Sequence, residues 1–152
     1  MYSSVLTIHS WLRWITLLLA IGATFNALRA DRDLSRKPPG RQWDTFFMLA
    51  LDLQVLFGLL LYFGLSPLTK LAMNNPGSVL GSPTLSYWAL IHLGVMVLAT
   101  ALVRVGRVLA INATTPASRR FRRFLFFALT TITILGGIPW PGLSIARPLF
   151  RF

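Results

Sequence analysis

Six polar side chains stand inside stretches of sequence that are otherwise apolar: His9, Arg13, Asp52, Gln54, His92 and Arg104. A polar or ionisable group at that depth is costly unless it is paired, faces the protein interior or coordinates something. These residues are therefore where chemistry is to be sought. His9 and His92 are the only histidines in the chain. Each lies shortly after the start of an apolar block, at depths of roughly 6 and 9 Å for a helix rising 1.5 Å per residue. Two neutral imidazoles at matching height, facing each other across a helical bundle, are what a b-type haem asks of a protein. The porphyrin supplies the equatorial nitrogens, and two axial positions are left for side chains. The plainer reading is two unconnected histidines near a membrane interface, each bonded to a backbone carbonyl or to the tail.

Helical spacing gives both histidines an inward setting. His9, Arg13, Thr16, Ala20, Ala23 and Ala27 follow one another at three or four residues and share one helix face. Trp88, His92, Met96, Ala99, Val103 and Gly106 form a similar stripe. Polar and small residues on one face favour close helix packing and leave the lipid side apolar. Arg13 lies one turn beyond His9 and needs a partner. Asp52 is the expected one, with a haem propionate or a quinone carbonyl as the alternatives. Gln54 sits about 200° round the helix from Asp52, so the two point in opposite directions. Gln54 and Gly58 share a face and fit an interhelical hydrogen bond beside a close approach. Arg104 is expected to reach the nearby membrane surface along its aliphatic stem.

The elements that position these residues follow from hydropathy. Of 152 residues, 55% are hydrophobic and only 12% charged, about half the charged share of an ordinary soluble domain. The apolar residues gather in blocks at about 5–28, 43–65, 86–111 and 121–138, each long enough to cross a bilayer core as a helix. The expected fold is an all-α membrane protein, a single bundle of four transmembrane helices. Pro38-Pro39-Gly40 breaks the chain between the first two blocks, and Pro67, Asn74-Asn75-Pro76-Gly77 and Pro83 punctuate the longer connection between the second and third. That connection, about twenty residues, is long enough to cap the bundle or cover a site. Trp11, Trp14, Trp43, Tyr87, Trp88 and Trp140 fall near block ends, where amphipathic rings anchor at the interface.

The net charge of +11 points to membrane topology rather than to nucleic acid. Arg29, Arg32, Arg36, Lys37 and Arg41 lie between the first two blocks; Arg104, Arg107, Arg119, Arg120, Arg122 and Arg123 gather around the break between the last two. Such clusters mark cytoplasmic loops and set both termini outside. Arg147 and Arg151 in the tail run against this bias without outweighing it. There is no cysteine, which excludes disulfides, thiolate-ligated haem and covalent c-type attachment. No Ser, His and acid cluster at one depth favours nucleophilic hydrolysis, and a zinc site asks for more ligands than two histidines and a distant Asp52 supply.

His9-Ser10-Trp11-Leu12-Arg13-Trp14, the run from Gln54 to Phe63, His92, and Ile138-Pro139-Trp140-Pro141 together resemble the small bacterial four-helix membrane proteins labelled cytochrome-b-like. The resemblance covers nearly the whole chain. It implies a four-helix fold in the bacterial inner membrane, with haem b ligated by His9 and His92 and with Arg13 beside it. The expected function is electron transfer between a quinol or membrane redox complex and an acceptor on the outer side. The alternative is an accessory membrane subunit without haem. Four helices offer a small core, which favours self-association.

Overall fold

A computed structural model describes all residues except Ala146, Arg147, Arg151 and Phe152, so the expected outer position of the two tail arginines lies outside the described residues. The helices are α1 (Tyr2–Ala27), α2 (Arg41–Leu59), α3 (Pro67–Asn74), α4 (Pro83–Ser86), α5 (His92–Ile111) and α6 (Pro116–Gly136). Two π-helical segments extend them. Leu60–Leu65 continues α2, and Tyr87–Ile91 joins α4 to α5. No strand occurs among the described residues.

Three continuous helical runs, Tyr2–Ala27, Arg41–Leu65 and Pro83–Ile111, are long and apolar enough to cross a membrane. They match the first three expected blocks. α6 differs: it begins at Pro116 rather than near Phe121 and ends at Gly136 rather than Ile138. Thr115 caps it by accepting the Ser118 N–H at 3.2 Å, and Pro116 occupies the first turn, where its missing N–H is no loss. Arg119, Arg120, Arg122 and Arg123 are thereby drawn into the helix. The connection from Ser66 to Leu85 is also more ordered than a bare loop. Ser66 and Ser82 cap α3 and α4, each followed by a proline in the first turn.

α5 packs on α6, α6 on α1 and α1 on α2, whereas α2 and α5 meet only thinly. The two expected stripes face inward. Ala20, Ala23, Ala27 and Ala99 are fully buried, with Thr16 and Val103 nearly so. Leu17, Phe47, Leu51, Phe127 and Ile134 complete the core, with Phe47 set edge-on to Phe127. Leu18, Phe25, Leu56, Phe63, Ile111 and Ile132 point outward and are more than half exposed, an apolar exterior that suits lipid rather than water. Trp43, 37% exposed, also packs on α1. A β-carbon on Gly22 would run into its ring, so the α1–α2 contact depends on that glycine.

Two arginines of α6, one helical turn apart, clamp the α1–α2 loop. Arg119 holds both oxygens of Asp31 at 2.5 Å and donates to the carbonyls of Asp33 and Leu34. Arg123 holds Asp44 at 2.9 and 3.0 Å and donates to the carbonyl of Pro39. These cations serve as structural anchors. Gly40 closes the loop at φ +70°, beside Asn26, where a side chain would be strained. In the same loop Asp33 accepts the Ser35 hydroxyl and N–H, which hold its carboxyl below the usual range.

Asp31 is 2% exposed and Arg119 10%, so removing one partner leaves a buried charge. Asp31→Asn is expected to cost about 3–5 kcal/mol. Arg36→Gln, which breaks only the exposed contact to Asp33, should stay within about 0.5 kcal/mol. Thermal unfolding of the two variants in detergent measures the difference.

Candidate functional site

At the end of the bundle away from the arginine clamp, a cavity opens between α1, α2, the two π-helical segments, α5 and the turn after α6. With its open mouth included, it spans about 1060 Å³. His9, Arg13, Gln54, Gly58, Trp88 and His92 all line it. The expected inward orientation of both histidines is therefore what the fold adopts. Their ring centres lie 6.5 Å apart with the planes inclined at 74°.

His92 is the first residue of α5, where the π-helical segment gives way to α-helix. A π turn holds an extra residue and shifts the phase of the helix face, which is why such turns recur beside functional groups. Tyr62, from the other π-helical segment, donates its hydroxyl to the Ala89 carbonyl at 2.8 Å and ties the two irregular segments together. The Gly137 carbonyl then orients His92. It accepts the His92 Nδ1–H at 3.0 Å and the Tyr87 hydroxyl at 2.8 Å. With Nδ1 carrying the proton, Nε2 of His92 keeps a lone pair. Gly137 leaves room for that carbonyl, because a β-carbon there would press on Met96 Cε and lie 2.9 Å from Val95 Cγ1.

His9 is held from α2. Gln54 is buried and its Nε2 lies 3.2 Å from His9 Nε2, while Gly58 leaves room for the ring, its would-be β-carbon 3.2 Å from His9 Cε1. The expected hydrogen bond and close approach on this face of α2 are both present. With Gln54 Nε2 donating to His9 Nε2, His9 Nδ1 and Gln54 Oε1 are buried without a protein partner. With the amide turned over, Gln54 Oε1 accepts the Nε2–H instead and Nδ1 becomes the lone-pair nitrogen.

Arg13 is not paired with Asp52 as expected. It donates to the carbonyl of Leu149 at 2.5 Å, and its guanidinium lies over the Trp14 ring, 5.0 Å from the centroid. Trp14 Nε1 reaches the same carbonyl at 3.1 Å, and Phe150 stacks on the indole. The tail thus folds back over α1 and supplies the acceptor. Asp52 instead pairs with Arg104 of α5, and both side chains are 45% exposed. The reason lies in helix phase: with Gln54 turned into the cavity, Asp52 falls on the thin α2–α5 seam, which Arg104 also borders. Arg104 is therefore a partner, not only a residue reaching for the surface.

Two features of these residues are compatible with an axial haem pair. Two metal–nitrogen bonds of about 2 Å, added to the ring radii, set imidazole centres roughly 6 Å apart. His92 has its second nitrogen fixed by a backbone carbonyl, the usual outer support of a ligating histidine. His9 Nδ1 is buried without a protein partner, and it offers a lone pair only with the Gln54 amide turned over, since otherwise it carries the ring proton. No group of three or more His, Cys, Asp or Glu side chains that could hold a metal ion occurs among the described residues. Sequence reasoning missed Gly137, Tyr62 and the orienting role of Tyr87. The Gly136-Gly137 pair closing the last apolar block is the one signal that pointed there.

Gly137→Ala should push against Met96 and Val95, displace the carbonyl from His92 and cost about 1–3 kcal/mol in a detergent melt. Gly136→Ala has nothing within 4 Å to meet and lies in α6, so it should leave the melting temperature unchanged or slightly raise it. No protein-family model, curated protein or solved structure matches the chain.

Proposed function

We propose that the protein is a b-type haem protein of the bacterial inner membrane that transfers electrons at the outer side, with His9 and His92 as the axial ligands. The supporting observation is that the two histidines, from separate helices, meet 6.5 Å apart in one cavity, with His92 oriented by the Gly137 carbonyl. The sequence resemblance to cytochrome-b-like four-helix proteins points the same way. Haem supplies a one-electron couple when bound. The chain's own residues would hold and tune it. Gln54 and Gly58 fix His9, Leu51, Leu61 and Ile134 line the cavity with apolar surface, and Arg13 stands at the wall to offset a propionate. A quinol or a membrane redox complex is the proposed electron partner, docked against the apolar exterior.

The reading includes four spans, with α6 as the last, and both termini outside. The α1–α2 loop and the start of α6 carry the basic clusters and would face the cytoplasm. A single cysteine introduced at Arg36 or Arg120 should resist an impermeant thiol reagent in intact cells, and one at Asn75 should react. The reverse pattern would overturn this topology while leaving the histidine cavity untouched.

One observation favours a second reading, an accessory subunit without haem: both imidazoles already have protein partners, Gln54 and Gly137. A reduced-minus-oxidised spectrum of protein expressed with ample haem separates the two. The haem reading expects a low-spin b-type spectrum that His9→Ala or His92→Ala abolishes or converts to high spin. A colourless protein, or a spectrum kept by both variants, would leave the accessory-subunit reading in its place.

A further inference from the structure

A second cavity lies at the opposite end of the bundle, enclosed by the α1–α2 loop, α2, α5 and α6, with about 1080 Å³ of space including its mouth. Its wall carries Arg36, Lys37, Arg41, Arg107, Arg119 and Arg123 against a single carboxylate, Asp44. The clamp neutralises two of these cations, since Arg119 is bound to Asp31 and Arg123 to Asp44. Arg36 has a loose, exposed contact to Asp33. Lys37, Arg41 and Arg107 have no carboxylate within ion-pair distance among the described residues.

Two donors in this wall lack a proper acceptor. Arg107 Nη1 reaches only the thioether sulfur of Met48, at 3.7 Å, and sulfur is a weak acceptor. Arg123 is the stronger sign. Its side chain is 4% exposed, its Nε and Nη2 are used by Asp44 and Pro39, and its Nη1 is buried without a hydrogen-bond partner. An unsatisfied buried donor on a charged group is expensive, so an acceptor is wanted at that wall. Met48, Ala110, Ile111 and Phe127 add apolar surface, and Ser35 and Thr45 add two hydroxyl groups.

We propose that this cavity binds a phosphate group, carried by an anionic phospholipid or by a soluble phosphorylated molecule. A phosphate offers several acceptor oxygens at once, which suits guanidinium forks and a lysine converging from different elements. Basic pockets between membrane helices recognise anionic headgroups by this means. The site is independent of the histidine cavity and of haem, lying at the other end of the bundle.

The test uses full-length protein in a neutral, phosphate-free detergent and reads its melting temperature. One arm adds phosphatidylglycerol against diacylglycerol; the other adds inorganic phosphate against chloride at equal ionic strength. Binding at a hundredfold excess over Kd should raise the melting temperature by about 5–10 °C. A shift with phosphatidylglycerol alone identifies a lipid ligand, and a shift with inorganic phosphate a soluble one. Lys37→Gln combined with Arg107→Gln removes two exposed cations outside the clamp and should weaken binding about tenfold or more. No shift in either arm, or a full shift retained by the double variant, would overturn the proposal.

Discussion

With apolar side chains facing outward along the long helices, every polar group that points inward must be satisfied by another part of the same chain. A lipid surround, which three helices are long and apolar enough to cross, would offer no hydrogen bonds. The polar contacts of this protein can be read as answers to that constraint. Threonines inside the helices bond to carbonyls one turn back, as Thr130 does to Phe126 and Thr131 to Phe127. Groups too long or too charged for that solution are gathered at the two ends of the bundle, where loops and irregular turns expose spare carbonyls.

The two ends solve it differently. At the arginine-rich end, acids from the α1–α2 loop and the start of α2 meet Arg119 and Arg123, and loop carbonyls take further donors, with Arg123 Nη1 left buried without a partner. The product is a rigid clamp fixing the loop to α6. At the histidine end the carbonyls come from helix termini and the tail: Gly137 for His92 and Tyr87, Leu149 for Arg13 and Trp14. Satisfaction is less complete there, since His9 Nδ1, Gln54 Oε1 and Thr16 Oγ1 remain buried without a protein partner.

Close packing makes the arrangement affordable in space. Glycines stand where one element must approach another: Gly22 under Trp43, Gly106 against Phe126, Gly58 beside His9 and Gly137 against Met96. The first two bring helices together, and the last two seat the imidazoles. The seam between α2 and α5 lacks such a glycine-mediated contact and is bridged by the half-exposed Asp52–Arg104 pair instead.

The sequence by itself determined the helical class, the three long apolar runs, the inward stripes of α1 and α5, and the opposite facing of Asp52 and Gln54. All of these follow from hydropathy and a period of 3.6 residues, which are local properties of the chain. It also singled out both histidines, because an imidazole in an apolar block is conspicuous. Which groups would meet was decided only by the tertiary structure. Partner choice depends on helix order around the bundle and on where irregular backbone leaves a free carbonyl, and neither leaves a periodic trace. Asp52 found Arg104 rather than Arg13 because α2 borders α5 on that side. Arg13 turned to Leu149 because the tail folds back over α1. The arginines of α6 looked like a loop signal and proved to be the first turns of a helix, since the cap at Thr115 and Pro116 precedes them and the acids they bind lie far away in sequence.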